Sequence, residues 1–155
     1  MPLIVLEGPE GAGKTTQIPR LAKHLEGKAK VLCLREPGGT PLGDEIRRVL
    51  LDPNSVISPR AEAQLYMASR AQLVESQIAP ALATGTIVLL DRFFLATYAY
   101  QAAGRGLPLD LVVAANKLAA ADVTPDVTVL LTLPVEEGLA RGQTRGPQDL
   151  MERVG

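Results

Sequence analysis

Apolar and polar positions along the chain fall into two alternating regimes. Short, almost unbroken apolar runs occur at "PLIVLE" (2–7), "AKVLCLRE" (29–36), "TIVLLD" (86–91) and "VTVLLTL" (127–133). Their length and their Val, Ile and Leu content predict strands, and their continuity predicts cover on both faces, as in a parallel sheet. Between them, segments 14–26, 43–51, 61–83 and 109–121 carry helical spacing. In the third, Leu65, Ala68, Ala71 or Gln72, and Val74 or Glu75 make only a partial apolar stripe. One face of that helix is therefore expected to look onto a cleft. "SPRAE" (58–62) supplies its start, with a Ser cap, a Pro in the first turn and then Glu.

Alternating strands and helices predict an α/β domain, a doubly wound parallel sheet flanked by helices. No repeat, low-complexity tract or linker divides the sequence, so residues 1–155 read as a single domain. The end departs from the pattern. "PVEEGLARGQTRGPQDLMERVG" (134–155) opens as a helix and then turns Gly- and Arg-rich. The expectation is that the C-terminal strand and helices closing such a sheet are missing.

Composition narrows the class. Hydrophobic residues make up 46% and charged residues 21% of 155 residues, the balance of a globular protein with room for a core. No apolar stretch approaches the roughly 20 residues of a membrane helix. The first apolar run is too short for a signal peptide and is broken by Glu7 and Gly8. These features predict a cytoplasmic protein without a membrane partner. Cys33, the single cysteine, reads as a small buried hydrophobe in a strand. A net charge of −1 excludes a generally basic nucleic-acid binder.

The first candidate chemistry sits between the first strand and the first helix. Gly8, Pro9, Glu10, Gly11, Ala12, Gly13, Lys14 and Thr15 fit the pattern G-x-x-x-x-G-K-[ST], and Thr16 follows. Glycines let successive backbone N–H groups turn inward as an anion nest at a helix N-terminus. Lys14 would reach the β- and γ-phosphates of a bound nucleotide, and the Thr15 hydroxyl would ligate Mg²⁺. This P-loop is strong evidence for a nucleoside triphosphate and silent about the acceptor. Arg35 and Glu36 end the second strand, and Asp91 and Arg92 end the third, at the sheet edge where open α/β folds bind ligands. Asp91 suits the metal or its water and Arg92 a phosphate. "ASRAQ" (68–72) places Arg70 on the exposed side of its helix.

The segments "GPEGAGKTTQ", "REPGGTPLGDEIRRVLLD", "SPRAEAQLYMASRAQ", "DRF" and "TYAYQAAGRGL" together identify a family. In order and over residues 3–141, the chain resembles the thymidylate kinases, P-loop nucleoside monophosphate kinases that convert dTMP and ATP to dTDP and ADP in dTTP synthesis. The resemblance implies that Tyr66 stacks on thymine while Arg70 and Gln101 meet its polar edge. It further implies that Arg47 and Arg92 grip the monophosphate, with Glu36 in the same site. Glu10 accepts from the sugar 3′-hydroxyl, Tyr100 crowds the 2′ carbon, and Arg105 joins the pocket. Glu10 in the loop, with no arginine there, looks like the bacterial type, whose catalytic arginine comes from a lid. Where the family's lid carries that arginine, "DLME" (149–152) has Leu150. Arg145 is the expected substitute, in the Gly-rich part that can close over nucleotide, with Arg141 beside it on the ATP side. Family members are typically homodimers, and Leu73, Val74 and Ile78 are expected to supply an apolar face.

Two other readings compete. "NKLA" (116–119) faintly matches the guanine-reading Asn-Lys-x-Asp of a GTPase, but Ala119 lacks the carboxylate. A non-catalytic or degenerate nucleotide-binding P-loop protein is the alternative kept open by Leu150 and the short C-terminus.

Overall fold

The computed structural model describes residues 1–143. Strands β1 (Leu3–Glu7), β2 (Val31–Arg35), β3 (Ile87–Asp91) and β4 (Val127–Leu130) form one parallel sheet in the order β2-β3-β1-β4. Register brings Arg35 opposite Asp91, Asp91 opposite Leu6, and Glu7 opposite Leu130. The ends of all the strands thus lie along a single edge.

Alternation along β1 and β3 sends successive side chains to opposite faces, as the pleat requires. Leu3, Val5, Val88 and Leu90 pack with Leu73, Val74, Ile78 and Phe93 on one face. Leu6 and Leu89 pack with Ile18 of α1 (Lys14–Leu25) on the other. Leu73, Val74 and Ile78 are core residues at 0%, 1% and 0% exposure, so they offer no dimer face, contrary to expectation. The continuous apolar runs of β1 and β3 are explained by this double cover. The edge strands differ. Every residue of β4 is exposed among the described residues, and Cys33 of β2 is exposed and not buried. An edge strand has a neighbour on one side only, so strand hydrophobicity overstated its burial.

Helix α2 (Pro41–Leu51) begins two residues before the predicted 43, because Thr40 caps it by accepting from the Gly43 amide at 2.9 Å. Ser58 precedes α3 (Pro59–Leu73) as expected, yet its side chain makes no capping bond. The predicted 61–83 helix is continuous in path but changes pitch. A π-helical stretch, Val74–Ile78, links α3 to α4 (Ala79–Ala83), with the Ala79 amide reaching the Val74 carbonyl. Pro80 has no N–H for a regular bond back to Ser76, which favours the wider turn. A further unpredicted helix follows β3: α5 (Phe94–Thr97) continues as π-helical Tyr98–Gly104. Helices α6 (Leu109–Ala120) and α7 (Val135–Gln143) complete the described chain. No helix among the described residues is long and apolar enough to cross a membrane.

Candidate active site

The link from β1 to α1 is shaped by backbone contacts. A Cβ on Gly8, whose φ is 138°, would lie 2.2 Å from the Leu131 carbonyl oxygen, so only glycine lets β4 and the loop approach this closely. Gly13 stands at the N-cap of α1 in a left-handed conformation, and its carbonyl accepts from the Thr16 and Gln17 amides. Pro9 accepts from Ala12 at 3.3 Å, closing the turn. Lys14 folds over this loop, its Nζ donating to the Gly8 and Pro9 carbonyls at 2.8 Å each. It is 6% exposed, not the exposed junction residue its position in the motif suggests. Burial, with Arg92 nearby, holds its ammonium below the usual value, against the pull of Asp91, Glu10 and Glu7.

Across the sheet edge from Lys14, Asp91 ends β3. Burial raises its carboxyl above the ordinary value, with Lys14 and Arg92 pulling back. Arg92 adopts φ 69°, a left-handed conformation uncommon for a side-chain-bearing residue. Its guanidinium lies 5.5 Å from the Tyr100 ring centroid and 3.3 Å from a Glu10 carboxylate oxygen. The Glu7 carboxylate accepts from the next amide, Phe93, at 2.7 Å. The sequence around Glu7 gives no sign of this contact, because Phe93 lies 86 residues away.

One cleft at this edge gathers the two halves of the expected site. On the loop side it is lined by Glu10, Gly11, Gly13, Lys14 and Thr15, with Asp91 and Arg92 beside them. On the acceptor side it is lined by Glu36, Arg47, Tyr66, Arg70, Tyr100 and Gln101. Helix α3 does present one face to this cleft, through Tyr66 and Arg70 and not through the apolar stripe of Leu65 and Ala68. Arg35 lines it too, as its place at the end of the second strand predicts, and so do Pro37 and Phe93, for which the sequence offers no signal.

Arg70 is the clearest correction. It is 1% exposed, not on an exposed helix side. Its Nε and Nη2 donate to Glu36 Oε2 at 2.8 and 2.7 Å, Nη1 donates to Asn116 Oδ1, and Nη2 also reaches the Phe93 carbonyl and Thr97 Oγ1. Five N–H donors on a planar fork suit such a hub, which lysine could not reproduce. Burial raises the Glu36 carboxyl above its usual value, opposed by Arg70, and Glu36 Oε1 has no hydrogen-bond partner among the described residues. Asn116 is 3% exposed and also donates to the Tyr98 hydroxyl at 3.2 Å. A buried asparagine committed to Arg70 and Tyr98 is no guanine reader, so the GTPase reading fails.

Arg105 does not line the cleft. It pairs at 3.2 Å with Glu62, a residue 2% exposed at the start of α3. Arg47 Nη1 donates to the Pro37 carbonyl at 2.9 Å, beside the cis Glu36–Pro37 bond. Arg141, on α7, donates to the Gly11 carbonyl at 3.2 Å and pairs with Glu137, which sets it against the phosphate loop. Arg145 and Leu150 lie outside the described residues.

The thymidylate kinase sequence model matches residues 6–154. The chain belongs to the thymidylate kinase family. It is 55% identical over 144 residues to a thymidylate kinase from Geotalea daltonii, covering 92% of this chain and 67% of that protein. It is 49% identical over 154 residues to one from Pseudomonas fluorescens, covering 98% and 73%. The crystal structure of a thymidylate kinase from Ehrlichia chaffeensis superposes with a TM-score of 0.79 at 35% identity, covering 90% of this chain and 75% of that one. These relatives lend the non-catalytic alternative no support. The four-stranded parallel sheet flanked by helices is the fold that the thymidylate kinase resemblance implied.

Proposed function

We propose that this chain transfers the γ-phosphoryl group of ATP to dTMP, giving dTDP and ADP. The observation that carries the reading is the shared cleft, in which Lys14 and Thr15 face the same space as Tyr66, Arg70 and Gln101. A phosphate-binding loop alone would leave the acceptor open. An aromatic ring beside an arginine and an amide fits a pyrimidine base, stacked on its face and hydrogen-bonded at its edge.

In the transfer, an oxygen of the dTMP phosphate attacks the γ-phosphorus while the bond to the β–γ bridging oxygen breaks, and ADP leaves. The protein's part is positioning and charge neutralisation. The loop from Gly8 to Thr16 holds the triphosphate through its amides, with Lys14 on the β and γ groups and Arg141 beside the loop. Arg47 and Arg92 hold the monophosphate, Glu10 takes the 3′-hydroxyl, and Tyr100 restricts the 2′ position. Glu36 acts through Arg70, which it grips. Arg145 is assigned the lid role that Leu150 cannot fill. Thr15 and Asp91 both line the cleft and fit Mg²⁺, which needs few protein ligands where phosphates and water complete its shell. Bound there, it would supply charge neutralisation on the phosphates.

The family's cytoplasmic setting and homodimer belong to the same proposal. Leu111 and Leu118 of α6, 63% and 84% exposed, are apolar positions open to a second copy. A single kinase domain over residues 1–155 is part of the proposal too. ADP release coupled to NADH oxidation tests the activity, with dTMP, dCMP and AMP as acceptors and ATP as donor. Turnover dependent on dTMP is expected. ATP hydrolysis indifferent to the acceptor would defeat the proposal.

A further inference from the structure

Behind the cleft, outside the residues that line it, Glu62 makes a set of contacts that bears on base choice. Its Oε1 accepts from Gln101 Nε2 at 2.8 Å and from Arg105 Nε at 3.3 Å. Its Oε2 lies 3.2 Å from Arg105 Nη2. The Glu62 side chain is 3% exposed and Gln101 is 1% exposed, so water does not compete for the bond between them. Glu62, Tyr66 and Arg70 follow one another at four-residue steps on α3, which puts them on one helix face. Gln101 lies within the π-helical segment opposite and Arg105 directly follows its end, where the Arg105 amide bonds to the Tyr100 carbonyl at 2.9 Å. Single π turns inside helices recur at functional sites.

A carboxylate accepts hydrogen bonds and cannot donate them, whereas an amide has one donor end and one acceptor end. Arg105 can only donate, so its pairing with Glu62 holds that side chain as an acceptor. Rotating the Gln101 amide by half a turn would set its carbonyl oxygen against the Glu62 oxygen, with both groups buried and no proton between them. The amino end is therefore committed to Glu62, and the carbonyl end is the one a ligand in the cleft can meet. Thymine presents N3–H, a donor, to such an acceptor. Cytosine presents a bare N3 lone pair, and acceptor would face acceptor.

We propose that Glu62 is a positioning residue for thymine-over-cytosine selectivity, holding Gln101 with its carbonyl oxygen toward the base. The proposal rests on the dTMP kinase reading and deepens it, because Glu62 touches no substrate in that reading. Arg105 then serves the same end at one further remove.

The test compares kcat/KM for dTMP and dCMP in the wild-type chain, in Glu62→Gln, and in the exchange Glu62→Gln/Gln101→Glu. The wild-type rate on dTMP is measured first and reports on the activity alone, so a change confined to the ratio reports on Glu62. In Glu62→Gln, the introduced amide can offer either end to Gln101, which frees the Gln101 amide to flip. The dTMP:dCMP ratio should fall by about tenfold or more, the effect of one mismatched buried hydrogen bond, while the KM for ATP stays within about twofold. In the exchange, the amide introduced on α3 donates to the carboxylate introduced opposite it, whose second oxygen still faces the base as an acceptor. Preference for dTMP should return even where kcat is lowered. A merely structural Glu62 would lower stability and all rates together and leave the ratio fixed, which would overturn the proposal. If Glu62→Gln does not fold, N3-methyl-dTMP on the wild-type chain decides. It has no N3–H, and turnover equal to that of dTMP would overturn the orientation assigned to Gln101.

Discussion

The Glu7 carboxylate, at the end of β1, accepts the backbone amide of Phe93 at 2.7 Å across the strand ends. A second, longer bond from the Ala96 amide, at 3.4 Å, draws the start of α5 to the same oxygen. Between β3 and that helix lies Arg92, with φ 69°, a conformation that costs on the order of 1–3 kcal/mol and persists only where its surroundings impose it. Glu7 supplies that constraint from 86 residues away, and so fixes how Asp91 and Arg92 enter the cleft.

Glu7→Ala should accordingly lower both stability and turnover. Loss of a buried acceptor that holds a backbone amide costs about 1.5–3 kcal/mol, measurable as a lower urea midpoint. Turnover should fall by roughly tenfold as Arg92 relaxes. Glu7→Gln keeps an acceptor at the same distance and should retain most of both. Equal behaviour of the two variants would refute the positioning role.

Lys14→Ala should remove most phosphoryl transfer. One preorganised charge at the transferring group is worth about 2.7–4 kcal/mol, so kcat should drop by about 10²–10³. Lys14 donates to two loop carbonyls, so a small loss of stability is also expected. Circular dichroism separates that loss from unfolding. A folded Lys14→Ala protein with near-normal kcat would sink the assigned role.

Much of this loop was legible because its chemistry is contiguous. Glycines, lysine and threonine within one short stretch dictate a turn, a nest and a helix start by local rules. The same holds for β1 and β3, where double cover produces unbroken apolar runs. Glu7, Glu62 and Asn116 were not legible, because their partners Phe93, Gln101 and Arg70 lie 86, 39 and 46 residues away. A charged residue whose partner is distant reads as solvated surface, which is also why the sequence alone puts Arg70 on an exposed helix side. The segment from Phe94 to Gly104 escaped as a helix because π turns break the 3.6-residue period that reveals helices.

Arg70→Leu should be severely destabilising, because it strands Glu36 in the interior. Breaking one partner of a buried ion pair costs about 3–5 kcal/mol. Glu36 is already raised above its usual value of 4.5 by burial, and loss of Arg70 would push it higher. A carboxyl with a raised folded value favours the folded state when protonated. That stabilisation is complete below the ordinary value and is lost as pH rises through the folded one. Arg70→Leu should therefore be least unstable at acid pH and lose stability toward neutrality, in urea titrations across that range. A penalty independent of pH would contradict the assignment to Glu36.

Asp91→Asn should separate activity from stability. Its carboxyl is raised above 3.8 mainly by burial, so its ionised form is disfavoured by folding. By the same sign, Asp91 costs stability as pH rises through its folded value, and asparagine removes that cost. The variant should hold or gain thermal stability at neutral pH while losing most turnover, and should need more Mg²⁺ for what remains. Full activity at ordinary Mg²⁺ would remove Asp91 from the site.

Transfer of a radioactive γ-phosphate from ATP tests the central claim most directly. Incubated with dTMP and Mg²⁺, the chain should place label in dTDP, with ADP formed in equal amount and no comparable transfer to dCMP. Lys14→Ala should leave the label in ATP. Label released only as inorganic phosphate, or no transfer to dTMP by the folded chain, would contradict the account.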